Sequence, residues 1–154
     1  MIKILFICHG NICRSPMAEF LLKDMVQKRN LSARFHIASA ATSTEEIGNP
    51  VHYGTRRKLA QYGISVAGKT AVRMKKQDYD SYDYLIGMDD ANIRNMIRIA
   101  GGDPDHKICK LLEFAGSTRD IADPWYTGNF DETYDDILEG CEAFMDRLQR
   151  EGTI

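Results

Sequence analysis

The chain has 154 residues and a formal net charge of −2, with 44% hydrophobic and 27% charged residues, a composition typical of a soluble globular protein with a buried core. The near-neutral balance of charge predicts neither a broad nucleic-acid-binding surface nor a membrane-binding one. No apolar run is long enough to span a bilayer and no signal peptide is evident, so the four cysteines are expected to stay reduced in the cytoplasm. We expect residues 1–154 to form a single domain and a monomer.

Short apolar runs alternate along the chain with segments of helical periodicity. The runs predict strands at 2–7, 35–40, 82–87 and 107–112, and the periodic segments predict helices at 15–28, 51–62, 89–99 and 131–150. This alternation predicts an α/β protein, a single-domain three-layer fold in which a four-stranded parallel sheet carries helices on both faces. Such sheets bind ligands at the carboxyl ends of their strands, so the end of the first strand is the first place to look for a site.

The first predicted strand runs into the segment Cys8-His9-Gly10-Asn11-Ile12-Cys13-Arg14-Ser15-Pro16. The segment is long enough to wrap a tetrahedral dianion with inward-facing N–H groups, and the arginine fork can close the ring. Glycine and asparagine accept the left-handed backbone angles that such a loop needs, so we expect them at Gly10 and Asn11. The predicted phosphate-binding residues are His9, Gly10, Asn11, Ile12, Cys13 and Arg14.

A thiol lies at the floor of this predicted cradle. The N-terminus of the following helix, with Pro16 in its first turn, and the cationic Arg14 both favour the thiolate of Cys8, the form that attacks phosphorus. The hydroxyl of Ser15 is close enough in sequence to stabilise that thiolate when it later leaves. A Cys-x5-Arg pattern alone is weak, and a metal site is the alternative for Cys8 and Cys13, but neither Cys109 nor Cys141 supplies a second pair at ligand spacing.

A second candidate motif, Asp123-Pro124-Trp125-Tyr126, lies far downstream. Because Asp123 precedes a proline, it is expected on a loop, where its carboxyl group can protonate a leaving oxygen. The adjacent aromatic residues Trp125 and Tyr126 suit a wall for a flat ring. An ordinary Asp-Pro turn is the alternative explanation of this motif.

Both motifs resemble those of the low-molecular-weight protein tyrosine phosphatases, residues 8–16 their active-site loop and residues 123–128 their general-acid loop, and the resemblance extends from residue 1 to about 150. It implies hydrolysis of phosphotyrosine and small aryl phosphates through a phosphocysteine, without metal or cofactor. Cys8 is then the nucleophile, Arg14 the phosphate ligand and Asp123 the general acid, with Trp125 and Tyr126 as substrate walls. The implied partners are a phosphotyrosine-containing protein or peptide, and phosphate or another oxyanion in the site.

The resemblance also bears on residues outside the two motifs. It implies that Ser39 hydrogen-bonds Asn11, although an ordinary serine near a strand end is an equal alternative. Where many relatives have an aromatic wall, this chain has Glu45 beside Glu46, and such a rim is expected to disfavour acidic sequence flanking the phosphotyrosine. At the position of a supporting histidine the chain has Gly68.

Other functions remain open at this point. A phosphoarginine phosphatase of the same fold typically has threonine where this chain has Ile12, and a bulky isoleucine suits phosphotyrosine. A thioredoxin-linked arsenate reductase of the same fold needs relay cysteines that residues 80–100 lack, and a non-catalytic phosphate-binding module would have no use for an acid. Cys13 is a candidate redox residue, because it could trap an oxidised Cys8 as a disulfide.

Overall fold

A four-stranded parallel sheet forms the centre of the structure, a computed structural model that describes residues 1–154. The strands are β1 (Ile2–Cys8), β2 (Phe35–Ala41), β3 (Tyr84–Gly87) and β4 (Ile108–Lys110), in the spatial order β2-β1-β3-β4. The helices are α1 (Arg14–Lys28), α2 (Tyr53–Ala60), α3 (Asp78–Ser81), α4 (Asp90–Ala100), α5 (Pro124–Thr127) and α6 (Phe130–Arg150). The predicted fold class is confirmed.

Strand β1 is the centre of the core because both of its faces are apolar. Ile4 and Phe6 point into a cluster of 26 buried residues that includes the apolar faces of α1 and α6. Leu5 and Ile7 point to the opposite side, into a smaller cluster of 7 buried residues that includes part of α4. Burial of each such side chain stabilises the fold by roughly 1.5–3 kcal/mol, so the position of β1, and of Cys8 at its end, is strongly determined.

The connection from β1 to β2 leaves on one side of β1, and β3 lies on the other side. The loop after β1 therefore opens into the crevice where the strand order reverses, which is the usual ligand site of an open parallel sheet. The fold thus places residues 9–13 at the one edge of the sheet where a ligand can reach the backbone.

Three predicted element boundaries were wrong in informative ways. The fourth strand ends at Lys110 rather than at residue 112, because Leu111 begins a 3₁₀ turn whose buried leucines pack in the main core with α6. The second helix begins at Tyr53, since His52 has an extended backbone and caps it by accepting a hydrogen bond from the N–H of Gly54. The third strand begins at Tyr84, two residues later than predicted.

The acid loop contains one turn of helix, α5, that the sequence did not predict. Asp123 itself has an extended backbone, as expected of a residue before proline, and its carboxylate accepts a hydrogen bond from the N–H of Trp125 at 3.0 Å. Pro124 occupies the first helical position, where the missing N–H is harmless. None of the helices in the structure is both long enough and apolar enough to cross a membrane.

Candidate active site

The loop of residues 9–13 has carbonyl groups that are held by neighbouring segments. Two successive N–H groups just after β2 donate to the carbonyl oxygens of Cys8 and His9, at 3.0 and 3.1 Å. The N–H of His52, at the start of α2, donates to the carbonyl oxygen of Ile12 at 2.8 Å. The carbonyl of Cys13 accepts from the buried hydroxyl of Thr55 at 3.1 Å. These bonds turn the carbonyl side of the loop towards the protein.

The N–H side of the same loop is left free. In a trans peptide the C=O and the next N–H point in opposite directions. Because the carbonyls of the loop point to the surrounding segments, the N–H groups that follow them point to the centre of the loop. None of the N–H groups of residues 9–13 donates a hydrogen bond to the backbone. Several inward N–H groups in succession form a site for a multivalent oxyanion.

Asn11 supplies the left-handed backbone that reverses the loop, with φ of 58°. The same prediction for Gly10 was wrong, because its φ is not positive. A Cβ at Gly10 would lie 3.3 Å from Cγ of Glu46, so glycine at this position makes room for the rim of the site rather than for a turn.

Arg14 is 2% exposed and is held from three directions. Its Nη1 donates to Asp89 Oδ2 at 2.7 Å and to the carbonyl of Ile121 at 2.9 Å, and its Nη2 lies 3.4 Å from Asp123 Oδ2. Burial by itself lowers the pKa of Arg14, but the charge on Cys8 and the hydrogen bond to Asp89 outweigh it and raise the pKa. The Nε atom is buried without a hydrogen-bond partner, so one N–H of a fixed cation is available to an oxyanion.

Asp89 holds Arg14 in place, a contact that the sequence did not indicate. It is the N-cap of α4: its Oδ1 accepts from the N–H of Asn92 at 2.7 Å while its Oδ2 holds Arg14. A capping residue was detectable from the pattern at the start of the helix. Its second bond was not, because 75 residues separate Asp89 from Arg14 in sequence.

The sulfur of Cys8 is supported by a buried chain of hydrogen bonds. Ser15 Oγ lies 3.0 Å from Cys8 Sγ, and the Ser15 N–H approaches the same sulfur at 3.4 Å. Asn11 Nδ2 donates to Ser15 Oγ at 2.8 Å and to Ser39 Oγ at 2.9 Å. Because each serine oxygen accepts from Asn11, its own proton is free to donate: Ser15 towards the sulfur, and Ser39 to Glu19 Oε1 at 2.5 Å.

Glu19 is a buried carboxylate that the sequence analysis also missed. It is 4% exposed and accepts from Lys23 Nζ at 2.5 Å. Lys69 Nζ lies 3.8 Å from the other carboxylate oxygen and donates to the carbonyl of Ser39 at 2.9 Å. Burial lowers the pKa of Lys69, and the charge of Glu19 partly opposes that shift. The network under Cys8 therefore ends in a charged group that is paired on both sides.

Gly68 does not take part in this network. Its φ is +86°, and a Cβ there would meet no atom within 4 Å. The backbone N–H of Val72 instead donates to Asn11 Oδ1 at 3.1 Å. Lys69, the residue after Gly68, contacts the carbonyl of Ser39 and the carboxylate of Glu19. A main-chain donor and a lysine thus surround Asn11 and Ser39 where the resemblance led us to look for a histidine.

A cleft of about 100 Å³ opens above the loop. The structure brings together residues from three distant segments here: Cys8, His9, Gly10, Ile12 and Cys13 from the loop, Glu45 and Glu46 after β2, and Asp123, Trp125 and Tyr126 from the acid loop. A larger groove of about 520 Å³ beside α2 has no cysteine or carboxylate in its lining. No group of three or more His, Cys, Asp or Glu side chains is arranged to hold a metal ion.

The two aromatic residues of the cleft differ in how they are held. Trp125 is 56% exposed, and its ring meets the edge of His52, which stacks on Phe130 at 5.3 Å between centroids. Tyr126 is 82% exposed. On the other rim, His9 Nε2 lies 3.0 Å from Glu45 Oε2. The acid loop therefore supplies two aromatic side chains to the cleft, and the segment after β2 supplies two carboxylates.

All four cysteines are free thiols. Cys13 is buried beside the cleft, and burial together with the charges of Cys8 and Asp123 raises its pKa to about 12. Burial also raises the pKa of Cys109 to about 12, and that of the fully buried Cys141 is raised as well. Cys109 and Cys141 are absent from the lining of the cleft.

Comparison with known proteins gives one consistent result. The family model of the low molecular weight phosphotyrosine protein phosphatases matches residues 3–153. The low molecular weight protein-tyrosine-phosphatase YfkJ of Bacillus subtilis is 41% identical over 98% of both chains, and PtpA of Staphylococcus aureus is 32% identical over 100% of this chain and 98% of its own.

Solved structures agree with the sequence relatives. The crystal structure of Bacillus subtilis YfkJ superposes with a TM-score of 0.93 at 42% identity, covering 98% of this chain and 96% of that one. A Drosophila arginine phosphatase also superposes, with a TM-score of 0.87 at 31% identity, covering 95% of this chain and 97% of its own. A buried thiol and an Asp-Pro loop line one cleft, and a buried arginine lies against the aspartate of that loop. With a family match over nearly its whole length, this chain belongs to the low-molecular-weight phosphotyrosine protein phosphatase family.

Proposed function

We propose that the protein hydrolyses phosphotyrosine in proteins, and small aryl phosphates, in two steps through a cysteinyl phosphate on Cys8. The observation that carries the proposal is that Cys8 and Asp123 line one cleft, with Arg14 buried against Asp123, above a loop whose N–H groups are free. A family of phosphatases and relatives named protein-tyrosine-phosphatases support it.

In the first step the Cys8 thiolate attacks phosphorus while the bond to the tyrosine oxygen breaks. The inward N–H groups of the loop and Arg14 bind the three equatorial oxygens, over which the charge of the phosphoryl group is spread in the transition state. Protonated Asp123, at the rim, donates its proton to the departing phenolate. The products are tyrosine and the phosphorylated cysteine.

In the second step water attacks the phosphocysteine and the sulfur becomes the leaving group. Asp123, now ionised, removes a proton from the attacking water. Ser15 donates to the departing thiolate, because its oxygen lone pair is already engaged by Asn11. The network of Asn11, Ser39 and Glu19 acts here by keeping the Ser15 hydroxyl aimed at the sulfur.

Ile12 bears on the choice between phosphotyrosine and phosphoarginine. It lines the cleft and is 8% exposed, so its branched side chain fills the wall next to the phosphate with apolar atoms. Together with Trp125 this favours a flat apolar ring over a guanidinium. The likeness to an arginine phosphatase keeps phosphoarginine hydrolysis as the second candidate. An assay with matched phosphotyrosine and phosphoarginine peptides separates the two activities.

The remaining alternatives have less support from the geometry. An arsenate reductase needs a relay of cysteines, and the cleft contains no cysteine besides Cys8 and Cys13. A phosphate-binding module would not place the carboxylate of Asp123 beside the bound anion. We further propose that the protein acts as a monomer in the cytoplasm, where its four thiols stay reduced.

Replacing Cys8 with Ser should abolish turnover, with a loss of at least about 10³-fold, because the hydroxyl is a much poorer nucleophile than the thiolate. The assay compares an aryl phosphate, a phosphotyrosine peptide and a phosphoarginine peptide in excess chelator. Cys109→Ser is the matched control and should retain activity. Turnover by Cys8→Ser would contradict the assignment of Cys8 as nucleophile. Faster cleavage of the phosphoarginine peptide by the wild type would contradict phosphotyrosine as the preferred substrate.

Replacing Asp123 with Ala should slow hydrolysis most for substrates with poor leaving groups, since a good leaving group needs no proton. The expected loss is roughly 10²–10⁴-fold for an alkyl-substituted phenol and much smaller for a nitrophenol. The measurement is kcat/KM across a series of aryl phosphates of graded leaving-group basicity. An equal loss across the series would show that Asp123 is not the acid.

Replacing Lys69 with Met should lower kcat about three- to ten-fold with little change in KM. The variant loses the hydrogen bond from Lys69 to the carbonyl of Ser39 and leaves the buried Glu19 with Lys23 as its one cation, so Ser39 and Asn11 are held less firmly. The second step should slow more than the first, so a burst of product should precede a slower steady state.

Two further variants test whether Lys69 acts through Glu19. Adding Glu19→Gln to Lys69→Met should recover part of the lost kcat, since the neutral amide needs no cation. Lys28→Met removes a surface lysine from the same helix as Glu19 and should have no effect. Wild-type kcat in Lys69→Met, or no recovery in a folded double variant, would exclude this coupling.

Mild peroxide should inactivate the enzyme reversibly. A sulfenic acid on Cys8 would condense with the thiol of Cys13, forming a disulfide and releasing water. Oxidation also removes the negative charge of Cys8, one of the causes that keep the pKa of Cys13 high. Thiol reductant should restore activity in the wild type and in Cys109→Ser. If Cys8 is over-oxidised to sulfinic acid as fast in the wild type as in Cys13→Ser, by mass spectrometry, Cys13 is not protective.

A further inference from the structure

A basic depression continues from the active-site cleft on the side of Glu45. His9 and Glu45 line both the cleft and this depression, which has a volume of about 280 Å³ and also contains Arg73 and Arg98. The same two arginines line a further depression with Lys75 and Lys76. We refer to Arg73, Lys75, Lys76 and Arg98 together as the basic trough.

The four cations of the basic trough are exposed, and no ion pair engages any of them. Lys110 and Arg119, by contrast, pair with carboxylates within 4 Å. Arg98 donates only to the amide oxygen of Asn95, at 2.8 Å. Two acidic residues close to the trough make other contacts. Glu45 lies against His9, and Asp78 accepts a hydrogen bond from the backbone N–H of Lys75 at 2.7 Å.

The arginines of the basic trough project from rigid backbone. Residue 73 forms a bridge with Ala41 at the end of β2, and the flanking N–H and carbonyl groups bond to Ala41 at 2.7 and 2.8 Å. Arg98 lies in the last turns of α4. Two guanidinium groups on fixed supports lose less freedom on binding a carboxylate or phosphate than two groups on a mobile loop.

We propose that the basic trough binds an anionic group of the substrate that flanks the phosphotyrosine, either a carboxylate or a second phosphate. This proposal rests on the proposed function, because it places the phosphotyrosine itself over Cys8. The guanidinium forks of Arg73 and Arg98 suit both anions. The hydroxyl of Thr44 lines the same depression and can add a neutral donor.

The basic trough reverses, on one side of the cleft, the expectation that the rim disfavours acidic sequence. That expectation considered only Glu45 and Glu46. Glu46 lines the cleft but not the trough, and Asn49 donates to its carboxylate at 2.6 Å. An anionic flank should therefore be favoured when it extends towards Arg73 and Arg98, and disfavoured when it extends past Glu46.

The test uses phosphotyrosine peptides that differ only in their flanks. One has two aspartates on the N-terminal side, one has them on the C-terminal side, one has a second phosphotyrosine in place of the aspartates, and one has asparagines. At low salt we expect one placement of the anion to raise kcat/KM about ten-fold over the asparagine peptide, an advantage that high salt weakens. The aspartate and second-phosphate peptides show which anion the trough takes.

The variant Arg73→Gln/Arg98→Gln should reduce that advantage to less than about two-fold while hydrolysing a small aryl phosphate at the wild-type rate. The matched control Arg29→Gln/Arg150→Gln makes the same change of net charge at two exposed residues without ion pairs, and it should keep the advantage. Equal values of kcat/KM on all peptides would overturn the proposed role of the trough. So would a preference for the anionic peptide that survives in Arg73→Gln/Arg98→Gln. Failure of the wild type to hydrolyse the aryl phosphate would instead overturn the proposed function.

Discussion

The conformation of the loop after β1 depends on hydrogen bonds made by its carbonyl groups. A loop can turn several N–H groups towards a ligand only if the opposite side of each peptide is satisfied elsewhere, because a buried polar group without a partner costs about 1–3 kcal/mol. Residues just after β2, the N–H of His52 and the hydroxyl of Thr55 supply partners for the carbonyls of Cys8, His9, Ile12 and Cys13. The phosphate cradle is therefore a product of β2 and α2 as much as of the loop itself.

Asn11 joins this backbone constraint to the chemistry. A left-handed backbone costs most residues with a side chain roughly 1–2 kcal/mol and is more accessible to asparagine. Three hydrogen bonds of the Asn11 side chain, with Ser15, Ser39 and the N–H of Val72, stabilise it further. The same side chain that stabilises the turn orients the group that supports the thiolate. Loop shape and sulfur chemistry are thus linked through one amide.

Arg14 is the second constraint, because a buried cation is tolerated only when it is paired and hydrogen-bonded. Asp89 at the start of α4, the carbonyl of Ile121 and Asp123 supply those partners. Asp89 follows β3, whereas Ile121 and Asp123 lie in the segment before α6, so Arg14 contacts both parts of the chain. The proposed general acid is in this way positioned by the residue that binds the phosphate.

Features encoded locally could be predicted from the sequence alone. The apolar run of β1, the loop that follows it and the extended Asp123 before proline depend on side-chain periodicity and on backbone angles within a few residues. The fold class, the cleft residues Glu45, Trp125 and Tyr126, and the contact between Asn11 and Ser39 were anticipated on that basis together with the family resemblance. The end of β4 was not anticipated, because the two leucines that follow it lie in a 3₁₀ turn and are buried against α6 rather than in the sheet.

Only the tertiary structure decided which distant charges meet. Asp89, Glu19 and Lys69 have ordinary local roles as a helix cap, a helical carboxylate and a loop lysine, and nothing in their own segments indicates their partners. Arg73 and Arg98 line one depression although residue 73 is tied to β2 and Arg98 lies on α4, which packs against β3 and β4. The sequence by itself determined the strand, the nucleophile loop and the acid motif, since these follow from short-range physics. The supporting network and the charge around the cleft depend on the spatial order of the strands in the sheet, which brings distant segments together.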